Sequence, residues 1–288
     1  MRKYFTIPIV IILISMSLAT CTENENNTVY VDCKNMNGPW DGSLEYPYQF
    51  IQDGVDAAVL GDTVFVFNGS YYEEIIINKS SIDLIGESKY STIVYGNNNY
   101  PIFSILGSHV SIQNFTIQNT NGEGIGIKIG DFLLCTHAKI KNNIIINTSI
   151  GILTPSTFIG DRHHHHHIMN NVISNSSEYG IILKVTDFCQ IEKNSFIGNN
   201  CGVKLGWSIG NLIKQNNFID NDIDATFDSS FLTHWSGNYF SDHVQNFPYI
   251  IYGTLFYNEY PWINFDWYRA NEAYDTNMKH TIGYLKNR

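Results

Sequence analysis

NNIIIN, residues 142–147, is one of five copies of a single pattern: Asn, two residues, Ile, one residue, Asn. The others are NFTIQN (114–119), NNVISN (170–175), NSFIGN (194–199) and NNFIDN (216–221), with starts 28, 28, 24 and 22 residues apart. A further step of 22 lands on Asn238 in GNYFSD. After the second Asn, a Gly followed by Ile or Val recurs at Gly124, Gly151, Gly180 and Gly202. Each unit reads as strand, tight turn, strand, with no amphipathic helical stretch that would make a crossover. A period of this length in such a composition predicts a solenoid whose repeat is one coil, an all-β right-handed parallel β-helix.

The physics of such a coil accounts for the residues. Coils stack about 4.8 Å apart through backbone hydrogen bonds. The series Ile117, Ile145, Ile173, Ile197 and Ile219 is expected to form one interior column. The series Asn119, Asn147, Asn175, Asn199 and Asn221 is expected to form an amide ladder at a corner, where Asn also tolerates a left-handed backbone. Open solenoid ends need covers. Upstream, Phe50, Ile51, Val55, Ala58 and Val59 have helical spacing and suit a cap over the first coil. Downstream, FPYIIYGTLFYNEYPWINFDWYRANEAYD breaks the period and suits an aromatic cap.

Residues 1–21 carry a basic start and an apolar run of signal-peptide length, ending in LATC, which resembles a lipobox at Cys21. The expected organisation is a signal over 1–21, a tether over 22–44, the β-helix over 45–245 and a C-terminal cap and tail over 246–288. Such a chain is extracytoplasmic: secreted, periplasmic or lipid-anchored, meeting a membrane only through its signal or lipid. Export makes disulfides chemically accessible to Cys33, Cys135, Cys189 and Cys201, whose spacing fits no zinc pattern. The net charge of -10 and only four arginines (Arg2, Arg162, Arg269, Arg288) argue against a nucleic-acid partner.

Two features carry chemistry. Counting back five positions from the first Asn of the first three units gives His109, His137 and His165, the last inside the run His163–His167. With Val110 and Ile112, or Ala138 and Ile140, at inward positions, these histidines should point outward, and His163 and His167 should share the face of His165. Three imidazoles on adjacent coils can lean together onto a copper or zinc ion. The alternatives are a stacked polar column or a tolerated surface expansion. The second feature is Trp207 in KLGWSIGN, read as an exposed aromatic for sugar stacking, whereas Trp235, Trp262, Trp267 and Tyr268 read as cap packing.

Carboxylates are scattered at Asp131, Asp187, Glu192, Asp220, Asp222, Asp224 and Asp228. The group in DNDIDATFD reads as a solvated turn, so no catalytic set emerges.

The block YPYQFIQDGVDAAVLGDTVFVFNGSYYEEIIINKSSIDLIGESKYSTIVYG resembles the opening of parallel β-helix proteins of the carbohydrate-binding and sugar-hydrolysis type. The repeats, with SGNYFSD, FPYIIYG and YPWINFDW, resemble NosD-like periplasmic copper-binding proteins over roughly residues 45–275. The chain departs from that pattern where Phe240 replaces a common Trp and where DHVQNFPY lacks an Asp- and Gly-rich, calcium-loop-like stretch. The resemblance implies the fold and raises the metal reading, while the scaffold itself hosts many functions. The expectation is a non-catalytic exported binder of polysaccharide or cell-envelope glycan, with a transition-metal role for the histidines. The alternatives are a carbohydrate-active lyase or hydrolase and a structural spacer.

Overall fold

A computed structural model describes residues 27–96, 100–120, 122–131, 134–155, 162–242, 248–256 and 259–274. The expected signal and Cys21 lie outside them. Three sheets of nine, nine and eight strands wrap one core. Each is built from one strand per coil, and successive coils pair in parallel. The first sheet runs from Thr28–Val31 to His234–Ser236 and the second from Gly69–Tyr72 to Tyr239–Phe240. The third runs from Ile75–Ile77 to Tyr249–Leu255 and ends in the antiparallel strand Tyr260–Asp266. This is the right-handed parallel β-helix that the repeat predicts.

Because Thr28–Val31 pairs with Thr63–Val66 in the first sheet, residues 28–44 are not a free tether. The strand's register leaves Val31 facing the core, and the chain then returns through Tyr48 to bridge it. The helix Ile51–Ala57 buries Ile51, Gly54 and Val55 and covers this end. Phe50 and Val59 point to solvent. The Glu73 carboxylate accepts from the backbone N–H groups of Ile51 and Gln52 at 2.9 and 3.0 Å, which satisfies the first turn.

Inside, like stacks on like, but one residue out of the expected phase in the later coils. Ile117, Ile145 and Ile173 form the interior column and are continued by Phe196 and Phe218, not by Ile197 and Ile219. Those two isoleucines face outward because side chains alternate along a strand, so a one-residue slip moves the whole set to the other face. Phe196, Phe218, Phe240 and Tyr249 stack with ring centroids 5.0, 5.0 and 3.6 Å apart.

The slip is set by buried amides. Each backbone N–H of Asn143, Asn171, Asn194 and Asn216 donates to the side-chain Oδ1 of the next, ending at Asn238, at 2.9–3.0 Å. Each Nδ2 also reaches a carbonyl of the preceding coil, as Asn171 reaches Ile140 at 2.8 Å. The ladder residue is therefore the second Asn of NN in the 28-residue coils (Asn143, Asn171) but the first Asn of the motif in the later ones (Asn194, Asn216, Asn238), and the coil-to-coil separations along it are 28, 23, 22 and 22 residues. In the 28-residue coils the first Asn of the pair, Asn142 (φ 55) or Asn170 (φ 56), supplies the left-handed corner, and in the later coils Lys193 (φ 56) and Gln215 (φ 55) take that position. The expected series from Asn119 to Asn221 divides in the same way. Asn147 and Asn175 are left-handed corners, while Asn199 and Asn221 form a buried ladder that starts at the backbone of Ser176.

The expected aromatic cap forms in part, with some of its aromatics inside and others open to solvent. Trp235 is buried, but Trp262, Trp267 and Tyr268 are 55, 65 and 76% exposed. The hairpin Tyr249–Leu255/Tyr260–Asp266 extends the third sheet sideways and satisfies its edge. The coil interior is plugged instead by Trp235, Phe240, Tyr249 and Ile251, together with Asp266. Cys33, Cys135, Cys189 and Cys201 are free thiols.

Asn171→Ala should destabilise the protein by about 3–5 kcal/mol, since it orphans the N–H of Asn143 and the carbonyl of Ile140 at about 1–3 kcal/mol each and leaves a void. Asn170→Gly, at a corner that favours glycine, should stay within about 1 kcal/mol of wild type. Urea denaturation of the two variants separates ladder from corner.

Candidate functional site

The run His163–His167 crosses a corner between the third and first sheets, and the coil assigns its five imidazoles different places. His163 and His166 are 2% and 1% exposed, and His165 is exposed. His167 stands on the outer face of the first sheet, 2.9 Å from Glu192, which also binds Lys214 at 2.8 Å. The expectation that His163 accompanies His165 outward is thus corrected. His163 occupies the inward column of Gly107 and Cys135, and its ring fills the space that a Cβ on Gly130 (φ 82) would take. Its Nδ1 accepts from the N–H of Cys135 at 3.2 Å.

His166 replaces an Asn in an amide ladder. Its Nδ1 accepts from the N–H of Ala138 at 3.1 Å, its own N–H points at the sulfur of Cys189, and the N–H of Cys189 donates to Asn211 at 2.8 Å. The parity of Val110 and Ala138 already carried this signal. Burial, then the neighbouring imidazoles, push His166 down to about 3, so it is neutral at physiological pH.

His109, His137 and His165 do stand in one column, all left-handed with φ of 57–59°. Their rings stack face to face with centroids 4.6 and 5.1 Å apart and planes within 5°. Phe188 continues the stack below His165. Imidazole lone pairs lie in the ring plane, so three parallel rings direct them in parallel and do not converge on one ion. Among the described residues, no three His, Cys, Asp or Glu side chains surround a common point.

A different pair converges. The Nδ1 atoms of His164 and His165 are 2.7 Å apart with their rings nearly perpendicular. In the metal-free chain one Nδ1–H donates to the other, which requires at least one neutral ring. His137 lies edge-on to His164, and its Nδ1 has no hydrogen-bond partner among the described residues. Desolvation lowers the pKa of both His137 and His164, and the adjacent imidazoles lower it further. Both shifts favour the unprotonated imidazole, the form that binds metals.

The remaining expected positions fall elsewhere. Trp207 is a left-handed corner residue (φ 54), half-buried, and its carbonyl accepts from Arg162 at 2.8 Å. Arg162 also forks onto Asp187, tying adjacent coils together. Trp207 is therefore less open than the hairpin aromatics. Asp224, expected in a solvated turn, is 6% exposed. It accepts from Asn221 at 3.1 Å and from the Tyr249 hydroxyl at 2.9 Å. Burial, with a contribution from Asp242, raises its carboxyl to about 6. It lines a cleft of about 690 Å³ with Tyr249 and Tyr252. Sequence gave no sign of this, since the burial depends on the chain returning over the last coil.

Comparison with known proteins agrees with this architecture. Residues 57–259 match the protein family described as periplasmic copper-binding protein (NosD). No curated protein sequence matches the chain. Among solved structures, pectin methylesterase from carrot aligns with a TM-score of 0.52 at 12% identity, over 76% of this chain and 84% of the enzyme. The GH136 lacto-N-biosidase of Eubacterium ramulus aligns with a TM-score of 0.51 at 13% identity, over 74% of this chain and 56% of that one. ORF18 of Geobacillus virus E2 aligns at 0.48 and 13% identity, over 79% and 61%. The chain thus spans less than two thirds of the viral protein and of the biosidase. At these identities the likeness concerns the fold.

The neutral, buried His166 makes stability fall with acid. Its folded pKa lies below the ordinary value of about 6.5, so its contribution is full above that pH and is lost as pH falls toward 3. At pH 5 the loss from this residue is about 2 kcal/mol. Thermal melts should show that His166→Asn, which retains a ladder acceptor, loses less stability than wild type between pH 7.5 and pH 5.

Proposed function

Since the chain belongs to the NosD family of periplasmic copper-binding proteins, we propose that it is an extracytoplasmic solenoid that binds a copper ion at the histidine corner. The observation that carries this reading is the approach of His164 Nδ1 and His165 Nδ1 to 2.7 Å. That is the separation of two neighbouring nitrogen ligands each about 2 Å from one ion. Imidazole suits copper, nickel and zinc, and the Irving–Williams order favours Cu(II) among them. His164 and His165 would hold the ion, with His137 the next imidazole within reach. His109, stacked beyond His137, would shape the column without ligating. Bound copper would add affinity for electron-rich donors. The protein's own part is to fix the approach of the two rings and, at His137 and His164, to favour the unprotonated form.

A second reading, binding of a cell-envelope glycan, is favoured by aromatic faces open to solvent. Tyr72 and Tyr95 stack 4.9 Å apart beside Glu73 and Glu74, with Tyr72 73% exposed. Such rings offer the apolar face and polar edge that sugar stacking uses. Trp207 is the weaker candidate for that role because it is half-buried. Catalysis gains no comparable support, since Asp224 has a structural role at the end of an amide ladder.

Calorimetric titration of the exported domain with Cu(II) tests the first reading. One ion per chain is expected, and His164→Asn/His165→Asn should weaken binding by about tenfold or more. His109→Asn should leave it unchanged. Stoichiometric copper binding that persists in the double variant would overturn the assignment.

A further inference from the structure

The corner between the first and second sheets carries a cleft of about 630 Å³ that nothing above uses. Its floor is a column of corner residues on successive coils: Asn114, Asn142, Asn170, Lys193 and Gln215. Their backbone N–H groups donate to the next coil at equivalent positions, as Asn142 does to Met169 and Lys193 to Lys214. The cleft therefore runs along the solenoid axis, one polar side chain about every 4.8 Å. Tyr90 stands at one end and Tyr274 at the other, the latter held by paired backbone bonds to the Asn217 amide at 2.7 and 2.8 Å.

Its charge is opposite to that of the chain. Lys89, Lys141 and Lys193 line it, and no carboxylate among the described residues does. Lys141 and Lys193 are exposed and enter none of the ion pairs among the described residues. Lys89 donates to the Asn142 side chain at 2.8 Å, and Asn142 donates onward to Asn114 at 2.7 Å. The nearby Glu192 is already engaged by Lys214 and His167. Three cations are thus gathered in one groove of a protein with a net charge of -10.

The lining selects a class of ligand. Amide side chains offer both donors and acceptors, as sugar hydroxyls require, and ammonium groups pair with carboxylates. Tyrosine rings at the ends suit stacking on sugar faces. A polynucleotide, with a dense line of charge, would meet the repulsion of the whole acidic chain and find no arginine in the groove. A glycan with a carboxylate on each ring or on alternate rings matches the sparse lysines.

We propose that this groove binds a carboxylate-bearing oligosaccharide lengthwise along the solenoid axis, with Lys89, Lys141 and Lys193 pairing with its carboxylates. The inference deepens the glycan reading and rests on it. It is independent of the histidine corner.

The test titrates the exported domain with four probes: a β-1,4-mannuronate hexamer, the matching neutral β-1,4-mannohexaose, a glutamate hexapeptide and a short oligothymidylate. The mannuronate hexamer should bind, its affinity should fall with added salt, and mannohexaose should bind about tenfold or more weakly. Lys141→Gln/Lys193→Gln, both changes on exposed side chains, should weaken mannuronate binding by about tenfold with an unchanged melting temperature. Equal binding of both hexasaccharides, unaffected by the lysine changes, would overturn the groove assignment and leave the glycan reading standing. Tighter binding of the peptide or the oligothymidylate would overturn the ligand class. No binding of any probe would overturn both the groove and the glycan reading.

Discussion

Every coil of this solenoid must turn sharply several times, and each turn removes a backbone N–H from the sheets that would otherwise receive it. The structure meets that demand with one device: the buried N–H donates to a side-chain acceptor one coil further on. Asn does this best, because its Oδ1 takes the N–H while its Nδ2 satisfies a carbonyl of the preceding coil, as at Asn194 and Asn216. Elsewhere the same post is filled by Ser208 and Ser230, by Cys189 and by His166. An unmade bond at such a site costs more than a made one contributes, so most coils fill the post with an acceptor, although Val110 and Ala138 hold the position of His166 without one.

The device is directional, and direction creates an end. Each N–H points toward the C-terminus, so the last amide needs an acceptor with capacity to spare. Asp266 supplies it: its carboxylate takes the N–H groups of Gly237, Asn238 and Tyr268 and the Nδ2 of Asn238. Asp224 has a narrower part at the end of the other ladder, accepting the side-chain Nδ2 of Asn221. The difference between the two lies in their surroundings, since Asp224 also faces a cleft and Asp242. A carboxyl raised to about 6 in a groove has the properties of a general acid. Here the rise comes from burial and from Asp242, against the opposing hydrogen bonds of Asn221 and Tyr249.

These constraints explain what was readable in the sequence. The period, the Asn-rich corners and the outward column of His109, His137 and His165 follow from repeats of constant length, and the first three coils are 28 residues apart. Once the spacing along the ladder drops to 23 and 22, a single Asn no longer says whether it is the corner or the ladder residue. The two choices differ by one position and place every following side chain on opposite faces. Ile197 and Ile219 were misplaced for that reason, while Phe196 and Phe218, equally able to fill the core, gave no warning. The exposed Trp262, Trp267 and Tyr268 were illegible for another reason. Aromatic composition suggests burial, whereas a strand added at a sheet edge buries backbone bonds and leaves one side-chain face open.

The histidine corner shows how this backbone geometry becomes chemistry. Along a strand, neighbouring side chains point to opposite faces and cannot share a ligand. His164 ends a short strand in the extended conformation, and His165 follows it at φ 59. The left-handed turn cancels the alternation, and two sequence neighbours present Nδ1 atoms to the same point. The same left-handed turn stands at His109 and His137 on the coils before, so it belongs to the corner of the coil, and it delivers His166 beneath the N–H of Ala138. The corner therefore sets the angle at which two imidazoles meet outside it. A histidine run in a regular strand would give a polar stripe, and the same run across this corner gives two imidazoles whose Nδ1 atoms meet.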